Sequence, residues 1–215
     1  MIFALVAFGG AVAYRQINPP SNPDPNHTHA DVAVWVGGMR LDFSDERYMS
    51  GSDADEQGGE HGHEHRHQYL HLHDGNGHVI HRHKPGLPLG EFFASIGLPM
   101  EENCVTIDDA QFAALDVGWK RDFALTSMLC DNGKFHWRIF VNGEERAFAP
   151  GYVFEDGDQL LLTYDAGDAR PDAPLQQQTH DACLYSRTCP WRGTPPIENC
   201  IADPSIPCTV PVEDL

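Results

Sequence analysis

Apolar and polar positions alternate along residues 31–36 (DVAVWV), which predicts a strand with Val32, Val34 and Val36 on one side and Asp31, Ala33 and Trp35 on the other. Gly37-Gly38 has the composition of a two-residue hairpin turn, and residues 39–43 return. A second pair of strands is predicted at 69–73 and 78–83, around Asp74-Gly75-Asn76-Gly77. Residues 87–98 place Leu89, Phe92, Phe93 and Ile96 at helical spacing, with Gly97 at the C-cap. A short strand at 105–107, a weaker helix within 108–120, and strands at 123–128, 136–141 and 159–164 follow. Asn142-Gly143 and Glu155-Asp156-Gly157-Asp158 supply the turns between them. Strands dominate beside one strong helix, so residues 26–165 are expected to form an α+β domain. Residues 166–215 form a Pro- and Cys-rich tail with little apolar periodicity.

The register of the second hairpin follows from burial. A three-residue loop, Gly75-Asn76-Gly77, pairs His71 with His81 and gathers Leu70, Leu72 and Ile80 on one face. A two-residue loop would mix Ile80 with histidines. The odd loop is therefore expected, as a type I turn ending with Gly77 in the left-handed region. It puts His71, His73, His81 and His83 together on the other face, cross-strand Cβ atoms about 5 Å apart. Extending the first strand backward places His27 and His29 on the side of Asp31. If the two segments are neighbours, six histidines and Asp31 converge on one open sheet face.

This pattern turns composition into chemistry. Thirteen of the 215 residues are His, and 14 Lys+Arg stand against 32 Asp+Glu, a formal charge of −18. Such acidity argues against a nucleic-acid partner and for cations, with imidazole nitrogens as ligands for Zn²⁺, Cu²⁺ or Ni²⁺. The expected ligands are His27, His29, Asp31, His71, His73, His81 and His83. Their affinity is expected to fall as pH drops through the ordinary histidine value of about 6.5. Residues 50–68 form a polar insertion containing His61, His63, His65 and His67, which reads as a weaker, collecting metal loop.

Residues 136–164 (HWRIFVNGEERAFAPGYVFEDGDQLLLTY) combine a Trp, an apolar strand, Asn-Gly, a Tyr, then Asp-Gly-Asp before a last apolar strand. This arrangement resembles the end of a β-grasp domain, most closely the transcobalamin-C-terminal-like group found on bacterial surfaces. The resemblance covers residues 69–165 and implies a mixed sheet packed on one main helix, here 87–98. Asn-Gly-Glu and Asp-Gly-Asp also occur in β-grasp sulfur carriers. Those end in Gly-Gly, whereas this chain runs fifty residues further. The segments HTHADVAVWV and HLHDGNGHVIHRHKPG resemble a group of His-rich, membrane-anchored archaeal and bacterial proteins. QYLHLHD is similar to the zinc strand of α-type carbonic anhydrases, which would imply three imidazoles around an open position.

Residues 1–14 carry no charge and read, within 1–17, as a signal-peptide core or a short membrane anchor. Either places the remainder outside the cytoplasm, secreted or tethered. Six cysteines without Cys-x-x-Cys fit disulfides. Cys104 and Cys130 form one pair, and Cys183, Cys189, Cys200 and Cys208 tie the tail with three possible connectivities. The expected function is an extracytoplasmic module binding a divalent transition metal, copper or zinc. The alternatives are an interaction subunit of a surface or membrane complex with protein partners, and a His₃ zinc lyase or hydrolase.

Overall fold

The first strand begins earlier than its apolar alternation: β1 is Thr28–Val36 and is buried along its whole length. This computed structural model describes residues 20–50, 67, 69–115, 126–167 and 170–196. The N-terminal segment 1–17, His61, His63 and His65 of the insertion, Cys200 and Cys208 lie outside the described residues. After β1 come β2 (Met39–Arg40), a 3₁₀ turn (Glu46–Tyr48), β3 (Leu70–His71), β4 (Val79–Arg82) and α1 (Leu89–Ser95). Then follow β5 (Cys104–Thr106), α2 (Asp109–Ala114), β6 (Met128–Cys130), β7 (Phe135–Val141), β8 (Glu144–Arg146) and β9 (Gln159–Ala166). The tail adds α3 (Asp172–Gln176) and α4 (Ala182–Tyr185).

The architecture is α+β. One mixed sheet runs β3-β4-β1-β9-β7-β8, with β2 paired to β1, and β5-β6 form a separate two-stranded sheet. Strands β1 and β9 pair in parallel at its centre, Asp31 opposite Gln159 through Val36 opposite Tyr164. The remaining pairings in the sheet are antiparallel. Two glycines at positive φ, Gly37 and Gly38, make the β1–β2 turn, and Asn142-Gly143 makes that of β7–β8. Asp158 holds this half of the sheet together. Its carboxylate accepts from Asn142 Nδ2 (2.8 Å), Tyr152 OH (2.9 Å) and the Glu155 amide (2.8 Å).

Both faces of the sheet are covered. Ala30, Val32, Val34 and Val36 of β1 join Leu70, Leu72, Ile80, Leu160, Leu162 and Trp137 against Leu89, Phe92 and Phe93 of α1. On the opposite face Ala33, Trp35, Phe140 and Leu161 form a smaller cluster with Leu175 of α3 packed on it. Register follows from this core. Each fully buried Leu or Ile stabilises by roughly 1.5–3 kcal/mol, and a one-residue slip would exchange Leu70 and Leu72 for histidines. The structure pairs Leu70 with Arg82 and His71 with His81, as the burial argument requires.

Two expectations are corrected. The predicted strand at 123–128 is observed only as Met128–Cys130, residues 116–125 lying outside the described chain. The tail between residues 170 and 196 is tied by the disulfide Cys183–Cys189, as expected, and its α4 lies against β1. Cys104–Cys130 joins directly opposed residues of β5 and β6. The hairpin loop also has a different cause. Positive φ falls on Asp74 (59°) and Gly75 (68°), not on Gly77. Gly77 is required by close approach instead, since a Cβ there would stand 2.3 Å from the Phe43 carbonyl carbon and 2.4 Å from the Ser44 nitrogen.

These two glycines predict a ranked response. Gly75→Ala meets nothing within 4 Å and suffers only its positive φ, a cost of about 1–2 kcal/mol. Gly77→Ala must push backbone apart and should lower the melting temperature more, by several degrees beyond Gly75→Ala. Thermal unfolding of both variants checks this, and an equal or larger loss for Gly75→Ala would contradict it.

Candidate metal centre

Strands β3, β4 and β1 are neighbours, and each contributes or borders two histidines spaced two residues apart. His29 of β1 stands opposite His81 of β4, which stands opposite His71 of β3. Alternation sends all three to the face away from α1, with His27, His73 and His83 one step along the chain on the same side. The six imidazoles form a closed circuit. Ring centroids are separated by 4.4 Å for His27–His29, 4.8 Å for His29–His81 and 3.8 Å for His81–His73. The circuit continues with 5.7 Å for His73–His71, 4.9 Å for His71–His83 and 4.0 Å for His83–His27.

The face is not open to solvent, contrary to expectation. All six side chains are buried, none more than 4 % exposed. The tail covers two of them, His29 and His81. The Tyr185 ring lies 5.5 Å from His29 and 4.8 Å from His81. Asp31 secures that cover. Its carboxylate accepts from the Thr179 hydroxyl (2.6 Å) and from the amides of Asp181 (2.8 Å) and Ala182 (3.0 Å). Asp31 shares the histidine face, but the structure gives its oxygens to the tail, so it is a tail anchor and not part of the imidazole group. Burial pushes its carboxyl up, against the lowering effect of those three hydrogen bonds.

Hydrogen bonds fix how three of the rings are oriented. Ser186 Oγ donates to Asp156 Oδ1 (2.5 Å), so its lone pair accepts from His29 Nδ1 (2.8 Å). His73 Nδ1 donates to Asp74 Oδ2 (2.6 Å), and His71 Nδ1 to the His67 carbonyl (3.0 Å). Each ring is thus held through Nδ1 by an oxygen, which turns its Nε2 away from that oxygen. This is the disposition of metal-ligating histidine, whose second nitrogen is held by a carboxylate, hydroxyl or carbonyl. Among the described residues the buried Nε2 atoms of His71 and His73 have no hydrogen-bond partner. His29 Nε2 lies 3.1 Å from His27 Nε2, close to the edge of about 3.3–3.4 Å expected between ligands at 2.0–2.1 Å from a tetrahedral ion. Nitrogens of His27, His29 and His81 all lie within 4.8 Å of one another, so this cluster could hold a metal ion.

His67, read as part of the collecting loop, has both ring nitrogens engaged. Its Nδ1 accepts from the Tyr69 amide (3.1 Å) and its Nε2 donates to Glu91 (2.9 Å). Its carbonyl then orients His71, which makes it a support of the sheet cluster. Asp156, Ser186, Asp74 and Tyr185 were not legible as site residues. Only Asp74, adjacent to His73, carried a local signal. Ser186 and Tyr185 arrive from 157 and 104 residues away from His29 and His81 in the chain, and no periodicity marks them.

The electrostatics favour the neutral form of four of the rings, those of His29, His71, His81 and His83. Burial, with mutual repulsion among the imidazoles, lowers His71 to about 3. Burial likewise lowers His29 to about 3, against the raising effect of Asp156. His81 and His83 are also pushed well down, burial being the largest cause. Proton competition for His29 and His71 in the folded protein thus moves far below the pH of about 6.5 expected for exposed histidine. The competition shifts to folding itself. Between about 6.5 and 3 the unfolded chain takes up protons that the folded chain refuses, so stability rises with pH across that window and is fully present above it.

Two such groups, His29 and His71, contribute up to about 3 kcal/mol per pH unit inside the window. Metal-free protein should show a melting temperature that is flat between pH 7.5 and 8.5 and falls steeply from pH 6.5 to 5. Thermal unfolding in the presence of a chelator measures this. A melting temperature unchanged between pH 7.5 and 5 would show that the rings are not held neutral by burial.

Comparison of the chain with protein-family models, with curated proteins and with solved structures finds no match, so the functional reading stands on the geometry of the histidine face.

Proposed function

We propose that the chain is an extracytoplasmic module that binds a divalent transition metal, copper or zinc, on its buried histidine face. The observation that carries this is the shared tethering of His29, His71 and His73, each tied through Nδ1 to an oxygen, beside the His27, His29 and His81 nitrogens that lie within 4.8 Å of one another. A purely structural role for these rings fits poorly. Leaving the Nε2 atoms of His71 and His73 buried and unbonded costs about 1–3 kcal/mol each, and a bound ion removes that cost. Neutral imidazoles are also the form a metal requires. Oxidising surroundings are indicated by the two disulfides. The uncharged residues 1–14 support export or tethering to a membrane. The parallel pairing of β1 with β9, flanked by the β7–β8 hairpin, supports a β-grasp-like reading related to the transcobalamin-C-terminal-like group.

Calorimetric titration of the untagged protein with Zn²⁺ and Cu²⁺ at pH 7.5 tests the reading. His29→Gln should weaken binding far more than His136→Gln, which alters a residue of β7. Ser186→Ala removes only the group that orients His29, and affinity should fall about 10–100-fold. Metal at one hundred times its dissociation constant should stabilise by about 2.7 kcal/mol and raise the melting temperature by several degrees. Unchanged affinity in both His29→Gln and Ser186→Ala would refute the site.

A further inference from the structure

We propose that residues 179–189 of the tail are a cover that must lift for a metal ion to reach or leave His27, His29 and His81, with the Cys183–Cys189 bridge as its brace. The inference rests on the reading that these three histidines hold a metal, and adds how that metal exchanges. Its basis is enclosure. The three side chains are buried, and the Tyr185 ring lies against two of them, 5.5 Å from His29 and 4.8 Å from His81. An ion arriving with its water cannot pass packed side chains, so an element has to move aside. The opposite face of the sheet is closed by α1, whose Leu89, Phe92 and Phe93 belong to the main core. That side stays shut for as long as the domain is folded.

The tail is held in another way. No residue of 179–189 belongs to either apolar cluster. At one end, the Thr179 hydroxyl and the Asp181 and Ala182 amides donate to the Asp31 carboxylate at 2.6, 2.8 and 3.0 Å, and Asp181 Oδ2 meets His78 Nε2 at 2.9 Å. At the other, Ser186 Oγ stands between His29 Nδ1 (2.8 Å) and Asp156 Oδ1 (2.5 Å), and Tyr185 OH accepts from Asn76 Nδ2 (2.8 Å). Water can take over each of these bonds. Lifting the segment therefore exposes little apolar surface and costs far less than opening the sheet. The bridge limits that motion. It closes the turn after α4, where the Thr188 amide donates to the Cys183 carbonyl (2.9 Å), and so keeps Tyr185 and Ser186 within one compact loop. Its removal loosens the cover without deleting a bond to any histidine.

The test separates rate from affinity. The full, untagged chain is loaded with one equivalent of Zn²⁺, passed through gel filtration and mixed with an excess of a chromogenic chelator, and zinc release is followed in time. Asp31→Ala should release zinc about tenfold faster or more, the factor carried by one charge-assisted hydrogen bond. Cys183→Ser/Cys189→Ser should release it several-fold faster. In this second variant association should quicken by the same factor, leaving the dissociation constant unchanged. Hydrogen exchange of the Asp181 and Ala182 amides should quicken with it, while that of the β1–β9 ladder does not. Zinc held by the parent chain and released at the parent rate by both variants would overturn the cover and leave metal binding intact. A weakened dissociation constant with unchanged association would also overturn it, making the tail a support of the site and not its gate. No zinc retained by the parent chain would overturn both readings. Where a variant fails to fold, the parent chain decides. On warming, its zinc release and its Asp181 and Ala182 exchange should rise by one factor, and release that outpaces tail opening would contradict the cover.

Discussion

Burial pushes four imidazoles of this face, those of His29, His71, His81 and His83, toward the uncharged form. A proton added to one of these four would place a cation in a medium that solvates it poorly, beside other imidazoles that repel it. The whole histidine face is organised around this neutrality. Where the hydrogen bonds are defined, at His29, His71 and His73, Nδ1 of each ring is bonded to a fixed oxygen, and the buried Nε2 atoms of His71 and His73 have no hydrogen-bond partner among the described residues. The acceptors come from three separate places: the tail serine with the Asp156 carboxylate, the backbone of His67, and Asp74. Neutrality, orientation and the supply of donor atoms are thus one arrangement, and it is the arrangement a transition metal needs.

The apolar side of the sheet makes that arrangement possible. Leu70, Leu72 and Ile80 fix the register of β3 on β4 by packing under α1, and the alternation of strands then sends His71 and His81 to the other face. The parallel β1–β9 pair brings the Asp156-Gly157-Asp158 turn to the start of β1. There Asp156 accepts the His29 amide at 2.9 Å, and Gly157 donates to the His29 carbonyl at 2.7 Å. The turn that closes the sheet therefore also positions a histidine. The tail completes the enclosure, held by hydrogen bonds to Asp31 and by the Cys183–Cys189 bridge.

Much of this was legible in the chain because one face of each strand is apolar. DVAVWV, the odd hairpin loop, the helix around Phe92 and Phe93 and the convergence of His27, His29, His71, His73, His81 and His83 all follow from alternation and burial. What was hidden depends on contacts without periodicity. The tail has few apolar residues, and its packing rests on polar bonds to Asp31, so neither the cover over the histidines nor the true role of Asp31 could be read. Gly77 is demanded by the Phe43–Ser44 backbone passing close by, a tertiary contact that turn rules cannot anticipate. Because the cover was invisible, the histidines read as solvent-facing, and their response to pH was placed near 6.5 instead of in the folding equilibrium.

The central claim is that buried imidazole nitrogens of this face are metal ligands. X-ray absorption at the zinc edge, on protein loaded with one equivalent of Zn²⁺ at pH 7.5, tests it most directly. The account predicts about three nitrogen neighbours at 2.0–2.1 Å with the outer-shell scattering of imidazole rings, lost on substitution of His29 and His73 together. A spectrum of oxygen ligands alone, without imidazole scattering, would place the ion on surface carboxylates and contradict the account.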